Sequence, residues 1–429
     1  MYNRRLQRGY PVITFEESVI FNTYLKMSDT IENSPKPSTT NSPLASLSLG
    51  KLDQYLQGDK LVWLVILFLS LISFLVVYSA TGTVAFRTMK GSFHYMSRHF
   101  GHMVLALGAV WVAHRLDYRY YAKLSRVALL VTVPLLIAVW LFGTTINDAS
   151  RWISIPIINI SFQPSDLAKL ALIASIASML SKRQNNVEDV QDIVPVLVWT
   201  GIICVLIGVS NVSTAVLLFF TSLVLMFIGR VPVNQLILFI LTGVVSIMLA
   251  LVIGQRLNTA SSRIDRFMNP TTEQRFQEEQ GYIAVSTGGF IGKGPGNSDQ
   301  RNFLPNAFSD FIYAIIIEEY GLLGGLFVLG LYMLLLYRGM VIMATSTNAF
   351  GGILAAGLSL SLVIQALAHM AVVVGLVPVT GLPLPMLSMG GTSLMFTGLS
   401  LGIILSVSRG DIDREVTLAS EEAGNLERE

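Results

Sequence analysis

Ten apolar runs follow one another along the chain: Leu61 to Ala80, Gly101 to Ala113, Val127 to Phe142, Ser165 to Leu180, Val194 to Val209, Thr214 to Ile228, Leu236 to Ile253, Phe311 to Leu335, Gly351 to Val374 and Ser393 to Val407. The first reads LVWLVILFLSLISFLVVYSA. At about 1.5 Å per residue such a helix crosses the roughly 30 Å hydrocarbon core of a bilayer. The runs lack the period-two alternation of barrel strands, and backbone in lipid must satisfy its own hydrogen bonds, so the pattern predicts helices. The expected fold class is all-α, a polytopic integral membrane protein of about ten transmembrane helices.

Polar stretches divide the chain. Residues 1–59, with SPKPSTTNSP near their centre, have Pro, Ser and Thr in place of a periodic apolar face, so a largely disordered tail is expected there. No cleavable signal pattern precedes the first run. Residues 60–409 form the expected transmembrane domain, and 410–429 a second tail. Residues 254–309, between the seventh and eighth runs, make one loop much longer than ordinary connections, and loops of that length are functional or disordered. With both tails placed in the cytoplasm, that side collects Arg115, Arg119, Lys182, Arg230, Arg338 and Arg409 among others, as the positive-inside rule asks. The long loop and the segments around Arg151 and Pro378 then face outward. No repeat of 20 to 50 residues and no inverted copy is visible, which speaks against a secondary transporter.

Composition supports the membrane reading: 52% of the 429 residues are hydrophobic and 13% charged, against about 25% charged in soluble chains. The net charge of +2 gives no argument for nucleic acid, and the single Cys204 excludes both a disulfide framework and a cysteine metal cluster. No nucleophile elbow, HExxH or paired cysteine is present.

Carboxylates inside apolar runs are the main chemical signal. The stretch NFLPNAFSDFIYAIIIEEYGLLGG carries Asp310, Glu318 and Glu319. Asp310 falls where the long loop meets the eighth run, with Ser309 as its expected N-cap. There it serves either as a capping or ion-pairing group, or as a base toward a hydroxyl nucleophile. Glu318 and Glu319, about 12 Å further along a helix, are read as paired acids or as part of a proton or ion path. In NDASRWISIPIINISFQPSDLAKLAL, Arg151 suits a phosphate, and Trp152 suits an interfacial belt or a sugar face. Arg151 and Trp152 sit before a short amphipathic stretch, and Pro164-Ser165-Asp166 looks like a helix start. Asp166 and Lys169 are spaced i, i+3 and pair on its first turn. STGGFIGKGPGN (Ser286 to Asn297) offers five glycines and Lys293 but fails the phosphate-loop template, because Thr287 and Gly294 stand where glycine and Ser/Thr are required. A flexible turn, or Lys293 meeting a diphosphate, is expected there. VPVTGLPLPMLSMGGTSLM, which contains Ser388, Gly390 and Gly391, reads as a re-entrant element lining a cavity. His94, His99 and His102 have no carboxylate nearby, and His369 reads as a hydrogen-bonded core histidine.

These motifs together resemble the SEDS family, the FtsW/RodA group of peptidoglycan glycosyltransferases, over about Lys60 to Arg409. In order they are ASRWI, FQPSDLAKL, STGGFIGKGPGNS, LPNAFSDFIYAIIIEEYGLLG and VGLVPVTGLPLPMLSMGGTSL. The resemblance implies polymerisation of lipid II, an undecaprenyl-diphosphate-linked disaccharide peptide, into glycan strands at the outer face of the bacterial cytoplasmic (inner) membrane. It makes Asp310 the general base on the acceptor hydroxyl. It places Arg151, Trp152, Asp166, Lys169, Lys293, Ser388, Gly390 and Gly391 at the substrate. A class B penicillin-binding transpeptidase and other division proteins are the implied partners. No cofactor is certain; a divalent cation beside the diphosphate is an option, and its ligands are unknown. Where the family commonly reads PEAHTDF this chain has PNAFSDF, so Asn306 and Phe308 take no assigned role, and SNVSTA (Ser210 to Ala215) departs from QPDLGT. The NDASRWI and SDLAKLAL wording is closer to division-type FtsW members than to RodA. The competing readings are a flippase for the lipid-linked precursor and a non-catalytic division scaffold.

Overall fold

Each apolar run lies in a helix, and several of the helices extend seven to nineteen residues beyond the run that marked them. The computed structural model describes residues 56–426 apart from 88–90, 147–148, 156–159, 184–192, 256, 269–275 and 305–306. The expected disordered tail therefore lies almost wholly outside the described residues, as does Asn306. The ten helices are α1 (Lys60–Arg87), α2 (Gly91–Arg115), α3 (Arg119–Phe142), α4 (Pro164–Ser181), α5 (Val194–Ser210), α6 (Val212–Ile228), α7 (Val233–Ile253), α10 (Ile312–Thr345), α11 (Ala349–Val373) and α12 (Gly391–Leu426). Within the long loop lie two more, α8 (Leu257–Met268) and α9 (Phe276–Gly288). Six helices, α1, α3, α7, α10, α11 and α12, are individually long and apolar enough to cross a membrane. At the centre of the bundle sit α4 and α11, buried along most of their length.

The helix packing follows from small residues. Along α12, Gly398 and Gly402 are four apart, and a Cβ on either would stand 2.3 Å from the Ala106 carbonyl oxygen or 2.4 Å from that of Val110. Only glycine lets α12 approach α2 this closely, as in membrane helix pairs built on small residues four apart.

Three features differ from the sequence expectations. The stretch after α3 folds as a small antiparallel sheet, β1 (Thr144–Ile146), β2 (Ala149–Ile155) and β3 (Ile160–Phe162), in which Trp152 lies opposite Thr144 and Ile153 opposite Phe162. The last helix outruns its apolar run, because α12 continues without a break from Gly391 to Leu426, into the expected tail. And α10 is not one straight helix: Gly321, with φ 71° and ψ −173°, interrupts it. From Leu322 to Thr345 the helix still measures about 36 Å, enough by itself to span the hydrocarbon core. The segment that carries Glu318 and Glu319 is therefore not needed for that length.

Candidate active site at the loop end of the bundle

The starts of α4, α10 and α12 and the end of α11 meet at the end of the bundle that carries the long loop. Between α11 and α12 the chain lacks regular structure, because Pro378, Pro383 and Pro385 remove amide donors. Leu382, Leu384, Met386, Leu387 and Ser388 are nonetheless buried. Buried carbonyls need donors, and here side chains from three helices supply them. His369 of α11 bonds the Leu382 oxygen through Nδ1 at 2.8 Å, which fixes the Nδ1–H tautomer. Gln365 Nε2 donates to the Pro383 oxygen at 2.8 Å, and the Tyr332 hydroxyl of α10 donates to that of Pro385. Ser73 of α1 donates to the Leu387 oxygen at 2.9 Å, while its own oxygen lies 3.0 Å from His99 Nε2 of α2. The Leu384 oxygen accepts from the Ser388 amide at 2.9 Å. So constrained, Met386 sits at φ 63°, a conformation that L residues rarely adopt and that persists only where its surroundings over-determine it. The stretch read from the sequence as a re-entrant element is thus an irregular, buried segment held by side chains of the surrounding helices.

That element holds the turn carrying Asp310. Ser388 Oγ donates to the Ser309 carbonyl at 2.7 Å and accepts from the Leu384 amide at 2.8 Å, and the Met389 amide donates to the Phe308 carbonyl at 3.0 Å. Both hydrogen-bonding roles of the Ser388 hydroxyl are thus taken by backbone. Asp310 is half-buried, and its Oδ1 accepts from Ser309 Oγ at 3.0 Å. The sequence placed Ser309 as the N-cap of the following helix; the cap residue is instead Phe311, because the Ser309 hydroxyl is turned to the neighbouring carboxylate. Asp310 accordingly stands in the turn ahead of α10, and its direction relative to Glu318 and Glu319 does not follow the 100° helical step.

A second attachment lies eight residues beyond Asp310, at Glu318 and the helix break that follows it. Glu318, fully buried, accepts from Lys293 Nζ at 2.7 Å, Ser298 Oγ at 2.5 Å and the amides of Asp299 and Gln300 at 3.1 and 3.3 Å. Lys293 also meets Asp299 at 2.9 Å, and the hydrogen bond to Glu318 holds its ammonium above the usual lysine range. Ser79 of α1 donates to Glu319, and Arg301 reaches the Ser79 carbonyl at 3.2 Å. At the Gly321 break, backbone replaces helix: the Lys293 and Gly294 amides donate to the Glu318 and Glu319 carbonyls at 2.9 Å, and the Leu322 and Leu323 amides donate to those of Gly289 and Phe290 at 2.9 and 3.3 Å. The STGGFIGKGPGN stretch is therefore neither a flexible turn nor a presented cation; it is a strap docked into a broken helix, with Lys293 paired to two carboxylates.

The Asp166–Lys169 pair forms as expected, at 2.8 Å on the first turn of α4. Lys169 Nζ also donates to Gln365 Oε1 at 3.1 Å. The pair borders a cavity of about 30 Å³ lined further by Ser393, Thr397 and Ser400, and buried Asp166 Oδ2 has no hydrogen-bond partner. Arg151 and half-buried Trp152 lie on β2; the Arg151 side chain is outside the described residues. Gly390 ends the re-entrant element, where its carbonyl accepts from the Leu394 amide at 3.2 Å, and Gly391 opens α12. Among the described residues no group of three or more His, Cys, Asp or Glu gathers as metal ligands would.

This arrangement spans nearly all of the chain that matches a known sequence profile, that of the FtsW/RodA/SpoVE cell cycle proteins, over residues 59–412. The chain belongs to that family. Relatives in the FtsW/RodA/SpoVE family include the probable peptidoglycan glycosyltransferase FtsW of Aliivibrio salmonicida, 31% identical over 388 residues, covering 89% of this chain and 95% of that protein. The protein of the same name from Coxiella burnetii is 34% identical over 360 residues, covering 81% and 95%. Among solved structures, the rod shape determining protein RodA of Thermus thermophilus superposes with a TM-score of 0.62 at 23% identity, covering 83% of this chain and 98% of that one. A chain from a peptidoglycan synthase complex, described as coordinating polymerization and crosslinking, superposes with a TM-score of 0.65 at 23% identity, covering 82% and 98%.

Within this family fold, sequence reasoning missed Ser73, Tyr332 and Gln365, and it set His99 aside. The available signal was polarity inside an apolar run, which marks a side chain with a partner inside the bundle.

Proposed function

We propose that this FtsW/RodA/SpoVE-family chain polymerises lipid II at the extracytoplasmic face of the bacterial cytoplasmic membrane, with Asp310 as general base. The loop end faces outward in this reading, in keeping with the Lys and Arg distribution, and both tails are cytoplasmic. Asp310 removes the proton from the acceptor sugar hydroxyl as that oxygen attacks the anomeric carbon of the donor. The new glycosidic bond forms as the bond to the lipid diphosphate breaks, with inversion at that carbon. Because the diphosphate is a good leaving group, no second carboxylic acid is needed to protonate it. With Lys293 paired in the strap, Arg151 is left as the cation for the diphosphate. Asp166 and Lys169 contact donor or acceptor from the crevice between α4, α11 and α12. Glu318 and Asp299 share an ammonium and do not suit a divalent ion. The names of the relatives favour a role in division beside a crosslinking transpeptidase of the penicillin-binding class.

The observation that carries the reading is the mount of Asp310: a half-buried carboxylate in a turn whose Phe308 and Ser309 carbonyls are held by the Met389 amide and the Ser388 hydroxyl, as a base that must meet one hydroxyl requires. Purified protein supplied with labelled lipid II tests it. Glycan polymer forms, and Asp310→Ala lowers the rate by about 10²- to 10⁴-fold. Lipid scrambling without polymer would favour a transporter, and a division defect rescued in full by Asp310→Asn would favour a scaffold.

A further inference from the structure

Gln365 lies between the Asp166–Lys169 pair and the re-entrant element and bonds both. Its two amide atoms have fixed roles. An ammonium only donates, so the atom 3.1 Å from Lys169 Nζ is the oxygen; a proline carbonyl only accepts, so the atom 2.8 Å from the Pro383 oxygen is the nitrogen. Reversal of the amide would set donor against donor and acceptor against acceptor. The side chain is also almost fully buried, so water does not replace either bond cheaply. From Pro383 the connection runs one residue to Leu384, whose amide donates to Ser388 Oγ, and from Ser388 to the Ser309 carbonyl beside Asp310.

We infer that Gln365 is a positioning residue that joins the Asp166–Lys169 pair to the Asp310 turn, so that the pair's arrangement sets where the carboxylate stands. The inference rests on the proposed role of Asp310. Gln365 itself touches no reacting atom; it acts through Pro383 and Ser388.

Two replacements separate the halves of the amide. Gln365→Glu keeps an acceptor for Lys169 but offers no donor to the Pro383 oxygen, whereas Gln365→Met offers neither. If the residue works through the re-entrant element, both variants lower kcat for lipid II polymerisation, by about 10²-fold for a displacement near 1 Å, with KM changed less than twofold. Hydrogen exchange gives a readout independent of catalysis: the Leu384, Ser388 and Met389 amides exchange at least tenfold faster in both variants, while the amides inside α11 keep their protection and show that the bundle has folded. Parental exchange at those three amides overturns the inference, as does a parental kcat in Gln365→Glu, or an effect confined to KM. A failure of the general-base assignment is seen separately, as polymer formed by Asp310→Ala.

Discussion

Replacement of Gly321 by alanine perturbs the strap at its seat. At φ 71° and ψ −173° the residue occupies a region that is almost exclusive to glycine, where another residue costs about 1–3 kcal/mol. A Cβ built there stands 2.2 Å from the Phe290 carbonyl oxygen and 2.6 Å from the Gly292 nitrogen. Both are backbone atoms, so no rotamer change relieves the contact; residues 289–294 must withdraw. Withdrawal breaks the four backbone hydrogen bonds between the strap and the helix break, each worth about 0.5–1.5 kcal/mol. If all four are lost, the strap is destabilised by about 3–9 kcal/mol. Since each 1.4 kcal/mol is about tenfold in an equilibrium constant, amide protection at Lys293, Gly294 and Leu322 should fall at least about 100-fold. Gly296 provides the control: it has φ 79° with nothing within 4 Å of an added Cβ, so alanine there costs only about 1–2 kcal/mol. Hydrogen exchange with peptide-level readout compares the two, and polymerisation is measured on the same preparations. Parental protection at Lys293 and Gly294 in Gly321→Ala would refute the reasoning, as would equal losses in both variants.

The other attachment and its charge make further predictions. Ser388→Ala leaves the Ser309 carbonyl and the Leu384 amide without partners, a loss of about 1–3 kcal/mol for each buried group; thermal unfolding should register it, and kcat should fall further than in a control variant on the lipid-facing side of α7. For Lys293 the direction is set by Glu318, which raises the folded pKa above the unfolded one. Its contribution is complete below the ordinary lysine range and is lost as pH climbs through the folded value. Exchange at the Lys293 and Gly294 amides, corrected for intrinsic chemistry, should therefore be flat from neutral to mildly alkaline pH and accelerate only at strong alkalinity. Lys293→Met should already show the faster exchange at neutral pH.

The ten helices were legible because an apolar run of membrane length has one stable form in lipid. The Asp166–Lys169 contact was legible because helical geometry fixes which side chains meet at i, i+3. The Gly321 break was not, since EEYGLLGG reads as readily as continuous helix; what decides it is the docking of residues 289–294, about thirty positions earlier, which no local periodicity records. Likewise, Ser73 finds Leu387 across 314 residues of sequence. The sheet at 144–162 escaped because strands of three, seven and three residues offer too few positions for alternation to show. Within the candidate site, sequence identified the carboxylate and the motif segments, whereas the hydrogen bonds that fasten them together came only from the fold.

The donors that quiet the carbonyls between Leu382 and Leu387 belong to helices made at opposite ends of synthesis. Ser73 emerges from the ribosome among the first transmembrane residues, while the proline-rich stretch it must meet emerges among the last. Until α1, α10 and α11 have all been inserted and have closed around it, that stretch cannot take its final shape, and the aspartate it braces has no fixed aim. On the proposed role of Asp310, a chain in which those three helices have not yet closed has no aimed base.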